Sequence, residues 1–159
     1  MAYPPARAQF NSNINPAFNP RINPKATASL NPRFSPWLSP AQNGRISPKA
    51  NRSLSPLFTP ALNPTVSELL DPKKTSKYSG LCRWSPESEL TGYVVNTPNK
   101  AVLLLFDQNL DWRAFAVDNQ RQGYNIFDLA EEWKGYLLKN AMGGQNEFNL
   151  DGDWVAFIM

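Results

Sequence analysis

Along the first half of the chain an apolar residue returns at every fourth position. The series is Phe10, Ile14, Phe18, Ile22, Ala26, Leu30, Phe34, Leu38, then Ile46, Ala50, Leu54, Phe58, Leu62, Val66 and Leu70, with only Gln42 plainly polar. The residue after each is Asn, Ser, Thr or Asp throughout, from Asn11 to Asp71, and the next is most often proline, at 16, 20, 24, 32, 36, 40, 48, 56, 60, 64 and 72. Asn, Ser, Thr or Asp opening a turn accepts a hydrogen bond from the backbone two residues on, and proline in the second position presets φ for a type I turn. Proline also turns its predecessor away from helix. So many missing N–H donors exclude a helix or a sheet interior. The pattern predicts tandem turns over 10–73, either an ordered spiral or a disordered tail of the kind Pro- and Ser-rich tracts form. An apolar phase held over sixteen units favours the spiral. Such a stripe needs a cover: another chain, the C-terminal half, or the interior of the spiral itself.

The second half repeats with a period of 21: Phe106, Phe127 and Phe148; Trp112, Trp133 and Trp154; Ala114, Gly135 and Ala156; Phe115, Tyr136 and Phe157. A weaker first copy runs from Trp84 through Leu90, Gly92 and Tyr93. Each unit reads as strand, turn, strand, with turn residues at Gln108-Asn109 and Asp151-Gly152-Asp153. Residues 119–123 and 141–144 join one hairpin to the next. A short helix from Asp128 to Trp133 is the alternative there, and the 21-residue equivalence opposes it. Strict alternation places Trp133, Gly135 and Leu137 on one face and Lys134, Tyr136 and Leu138 on the other. The predicted class is therefore all-β: a four-hairpin, eight-stranded repeat domain over 80–159, closed or radial. It follows an N-terminal tail (1–9), the non-helical turn-repeat segment (10–73) and a linker (74–79). The expected core is Trp84, Phe106, Phe127 and Phe148 with Leu90, Trp112, Trp133 and Trp154. Tyr93, Phe115, Tyr136 and Phe157 then form either a second buried layer or an aromatic surface suited to an apolar stripe like that of residues 10–70.

The units typified by Phe127-Asp128…Trp133-Lys134-Gly135-Tyr136 resemble the bacterial family called the four-fold beta flower. The resemblance covers roughly residues 78–159. It implies a fold but no established activity and no catalytic residues, and it leaves the turn-repeat half unexplained.

Charge separates the same two halves. Residues 1–77 hold ten Lys/Arg against two acids, a balance of +8, and residues 78–159 hold six against eleven, a balance of −5. A basic arm beside an acidic domain points to an anionic partner or to self-association. The N-terminal Met-Ala-Tyr-Pro-Pro-Ala-Arg lacks the apolar run of a signal peptide, and no stretch approaches the roughly 18 apolar residues of a membrane span. A cytoplasmic protein without membrane partners is the expectation, with leaderless export left open.

Chemistry is sparse. There is no histidine, which removes His-based acid–base catalysis, Ser-His-Asp triads and His metal sites. Cys82 is the sole cysteine, so no intramolecular disulfide forms and the thiol reads as a buried or edge residue. No catalytic, cofactor or metal residues are expected. Asp107, Asp128, Asp111, Glu132 and Asp153 recur at equivalent repeat positions, reading as turn caps or, more sharply, as an acidic ring for a cation. The function expected is non-enzymatic: a homo-oligomer or filament subunit. It would assemble through Phe18, Ile22, Leu30, Phe34, Leu38, Leu54, Phe58 and Leu62 and through Tyr93, Phe115, Tyr136 and Phe157. The alternatives are nucleic-acid binding by the Ser/Asn-Pro-Lys/Arg arm, opposed by the irregular placing of its basic residues, and a sugar- or ligand-binding hairpin module using the tryptophans.

Overall fold

The aromatic and branched residues that follow Gly80 draw the backbone into eight strands. They are β1 (Leu81–Trp84), β2 (Leu90–Asn96), β3 (Val102–Asp107), β4 (Trp112–Asp118), β5 (Tyr124–Asp128), β6 (Trp133–Lys139), β7 (Gln145–Asn149) and β8 (Trp154–Ile158). In this computed structural model, which describes residues 7–75 and 81–159, each strand pairs antiparallel with the next and β8 pairs with β1. The result is a closed barrel, which leaves no free sheet edge. The expected tail (1–9) and linker (74–79) fall mostly outside the described residues. Among the described residues there is no α-helix; Asp128–Trp133 is a strand end, a turn and a strand start.

The strands do not alternate strictly. Leu105 pairs with Ala114, but the next pair is Phe106 with Trp112, so Arg113 is an extra residue in β4. The same shift follows Arg83, Ile126 and Glu147. A bulge of this kind reverses the parity of everything beyond it. It corrects the alternation read from the sequence: Trp133 shares a face with Tyr136 and Leu138, while Gly135 and Leu137 point the other way. Two of the indoles fold over their bulges, Trp112 Nε1 donating to the Ala114 carbonyl (2.9 Å) and Trp133 Nε1 to the Gly135 carbonyl (3.0 Å).

One face of the sheet fills the lumen in layers of four. Arg83, Leu105, Ile126 and Glu147 come from the odd strands; Val94, Ala116, Leu137 and Ile158 come from the even ones. The apolar members form a single cluster. Arg83 and Glu147 close their layer with two parallel hydrogen bonds of 2.8 and 2.9 Å, and Arg83 Nη1 also donates to Thr91 Oγ1 (2.8 Å). Gly135 faces inward where a Cβ would stand 2.4 Å from the Phe148 carbonyl oxygen; Ala114 and Ala156 hold the equivalent positions.

The other face carries the large aromatics. Phe115 stacks on Phe127 (5.4 Å between centroids), Tyr136 on Phe148 (5.5 Å) and Trp154 on Phe157 (6.3 Å). Two sets assigned to opposite faces from the sequence therefore share one, the outer wall. Such pairs contribute about 0.5–1.5 kcal/mol beyond their buried area. Trp84, Phe106, Phe127 and Phe148 are buried and Trp112, Trp133 and Trp154 half-buried, because the N-terminal half is wound around that wall as a belt.

The belt is a chain of 3-10 turns from Ala8 to Leu70. Asn15, Asn19, Asn23, Asn31, Asn43, Asn63 and Asp71 each accept a backbone N–H two residues on, at 2.8–3.1 Å. Other capping side chains tie one turn to an earlier one. Thr27, Ser35 and Thr59 donate to the carbonyls of Pro20, Ala28 and Arg52, seven residues back, at 2.6, 3.0 and 2.9 Å.

Candidate functional site

Burial doubles the period of the belt. Ile14, Ile22, Leu38, Ile46, Leu54, Leu62 and Leu70 are buried and Leu30 half-buried, whereas Phe10, Phe18, Phe34, Phe58 and Val66 are exposed. Alternate turns thus face opposite ways, and the true unit is an octapeptide. The slot two residues after each inward aliphatic holds proline without exception, at 16, 24, 32, 40, 48, 56, 64 and 72; the slot two residues before it reads Ser, Pro, Ala, Pro, Gly, Arg, Pro, Glu.

The inward residues dock on the barrel in reverse strand order. Ala8 and Ile14 pack with Cys82, Trp84 and Phe157; Leu30 packs with Tyr136, Leu138 and Phe148; Leu54, Leu62 and Leu70 pack on a wall that includes Val95, Leu104, Phe115 and Phe127. Two buried asparagines hold the belt backbone. Asn125 Nδ2 donates to the Leu38 carbonyl (3.0 Å) while its Oδ1 accepts from Trp133 Nε1 (3.2 Å). Asn146 Nδ2 donates to the Ile14 carbonyl (2.6 Å).

Three lysines complete the attachment. Lys25 pairs with Asp153, Lys49 with Glu132 (3.6 Å) and Lys73 with Asp111. The lysines are 24 residues apart and their partners 21 apart. The same steps relate Ile14 and Leu38 to Asn146 and Asn125, and Leu30 and Leu54 to Tyr136 and Phe115. Three octapeptides therefore span one pair of strands, and the contacts recur as three stations. The third station differs, with Leu104 where the others have asparagine. Lys25, and next the Asn149 amide, holds the Asp153 carboxyl below its ordinary value of 3.8. The Asp111 carboxylate raises Lys73 above 10.5.

The recurrent acids are accounted for by turn capping and these pairs. Asp107 Oδ1 accepts the N–H groups of Asn109 and Asp111 (2.9 and 3.0 Å), Asp128 those of Ala130 and Glu132 (2.9 Å each), and Asn149 those of Asp151 and Asp153 (3.0 Å each). Hydrogen bonds from the Asp111 backbone and the Arg113 side chain keep the Asp107 carboxyl below 3.8. Among the described residues no three acidic or cysteine side chains gather to hold a metal ion, so the cation ring is not formed. Cys82 is buried, and burial pushes its thiol up, away from a nucleophile.

The candidate assembly residues fall into two groups. Ile22, Leu30, Leu38, Leu54 and Leu62 face inward, and Tyr93, Phe115, Tyr136 and Phe157 lie on the wall beneath the belt; the chain itself covers both sets. Phe18, Phe34 and Phe58 point outward on a ridge that also carries Phe10 and Val66. Arg52 lies over the Phe58 ring at 4.1 Å. The sequence reading missed Asn125, Asn146 and the three lysines. Their signal was regular spacing, visible only when the 24- and 21-residue steps are laid side by side. No helix among the described residues is long and apolar enough to cross a membrane. No family model, curated protein or solved structure matches the chain.

Proposed function

We propose that the chain is a non-enzymatic structural protein that associates with copies of itself, in a homo-oligomer or filament, through the outward ridge of its belt. The observation that carries this reading is the exposure of Phe10 (73%), Phe18 (59%), Phe34 (65%) and Phe58 (55%), with Trp37, Val66 and Leu69 exposed beside them, on a segment whose inward aliphatic residues are packed on the barrel. Four phenylalanines held in one eight-residue phase, with Ala26, Gln42 and Ala50 at the intervening positions, are closer in composition to an interface core than to a solvated surface. The barrel is read as four copies of one hairpin, akin to the four-fold beta flower, serving as the former on which the belt is wound. The bulge recurring in alternate strand pairs supports that reading.

Nucleic-acid binding is less favoured because Lys25, Lys49 and Lys73 are already paired with barrel acids. A sugar-stacking role is less favoured because Trp112, Trp133 and Trp154 pack between wall and belt. Light-scattering mass of the full chain, beside Phe18→Ser/Phe34→Ser/Phe58→Ser, tests self-association. Multimers of the parent and monomers of the variant are expected. A monomeric parent at high concentration in both low and high salt sinks the proposal.

A further inference from the structure

The two ends of the barrel lumen differ. At the end of the hairpin turns the cavity is about 220 Å³ and lined by the charged side chains of Arg83, Asp107, Arg113 and Glu147. The Arg83–Glu147 pair spans it. At the opposite end, where residues 96–102, 119–123 and 140–144 join the strands, a cavity of about 430 Å³ opens among the walls of every strand but β4. Val94, Leu137 and Ile158 form its floor, Leu81, Leu103 and Tyr124 its sides, and no charged side chain lines it.

We propose that this mouth binds one small, neutral, largely apolar molecule. An eight-stranded barrel is wide enough either to be packed shut by side chains or to hold one small ligand, and barrel mouths of about 300–1,000 Å³ with few polar groups are a common form of ligand site. The polar groups are few and uncharged. Burial, assisted by Asp118, raises the Tyr124 hydroxyl above its ordinary value, so it stays protonated. Gln145 has a buried Oε1 with no hydrogen-bond partner, which a turn of the amide offers to a ligand N–H. A charged ligand would meet no charged side chain there and would lose its hydration; an apolar one gains by leaving water. The site is independent of the self-association reading, since the ridge lies on the outside of the belt.

N-phenyl-1-naphthylamine, a neutral apolar fluorophore with one N–H, is a suitable probe for titration into the full chain. A saturable rise in emission with one probe per chain is expected. Leu81→Glu and Leu103→Glu should each weaken it at least tenfold, and Phe18→Ser/Phe34→Ser/Phe58→Ser should leave it unchanged. Leu81 is 39% exposed and tolerates a charge, so its variant decides the matter if Leu103→Glu does not fold. Absence of saturable binding, binding unchanged in the mouth variants, or binding lost in the ridge variant overturns the proposal. Light scattering on the same samples reads the ridge separately.

Discussion

In the barrel each backbone amide finds its partner on a neighbouring strand; in the belt it finds it about three residues back, or proline has removed the need. The belt is therefore locally complete in shape but lacks a ladder to fix its place. Its position depends mainly on side chains, the inward aliphatics, the asparagines and the three lysines, joined by one backbone bond in which the Ala141 N–H donates to the Asn13 carbonyl (2.9 Å). The barrel, in turn, depends on the belt to cover an aromatic wall that water would otherwise meet. One half is defined by its own short-range pattern, the other by long-range pairing, and each lacks what the other supplies.

The largest test of that division removes the aliphatic anchors. Leu54→Ala and Leu62→Ala should each cost about 2–5 kcal/mol by urea unfolding. If the belt is the dependent partner, proteolysis should open residues 7–75 while the strand amides remain protected from hydrogen exchange. Simultaneous loss of both would mean that the two halves unfold as one unit.

A smaller effect is expected at Asn125→Leu. It leaves the Leu38 carbonyl buried without its donor, at a cost of about 1–3 kcal/mol. The shape itself is tolerated, because Leu104 fills the equivalent place at the third station. Unchanged stability would mean that the aliphatics alone set the register.

The smallest effect is electrostatic. The carboxyl of Asp153 is lowered in the fold, so its contribution is present above the unfolded value and disappears as pH falls through the folded one, below 3.8. Lys73 is raised, so its contribution is present below 10.5 and disappears as pH climbs through the higher folded value. Hydrogen exchange of the turn amides beside Lys25 should quicken relative to distant turns as pH falls below 3.8. Asp153→Asn should remove that pH-dependent difference at this station alone.

Much of this was legible in the residues. The prolines announced the turns because a missing N–H and a fixed φ act locally, and the 21-residue step announced equivalent strands. The orientation of Trp133 against Tyr136 was not legible, because one extra residue at Lys134 reverses parity without marking the sequence. The octapeptide was present but hidden. Proline also occupies the slot two residues before an inward aliphatic at 20, 36 and 60, so a four-residue count fits until inward Ile/Leu is separated from outward Phe. The lysines looked irregular among the other basic residues because their spacing has meaning only against acids in the other half of the chain.

The 24-to-21 ratio also limits how such a chain can change length. Deleting one octapeptide shifts every later attachment by a third of a step, setting the lysines against uncharged wall and the belt carbonyls away from their asparagines. Adding a hairpin alone exposes a new bare panel of aromatics, and adding octapeptides alone leaves a loose end. Growth is quantised: one more panel of wall requires three more octapeptides of belt, inserted at the opposite end of the order, so the two halves lengthen together like the matched threads of a nut and a bolt.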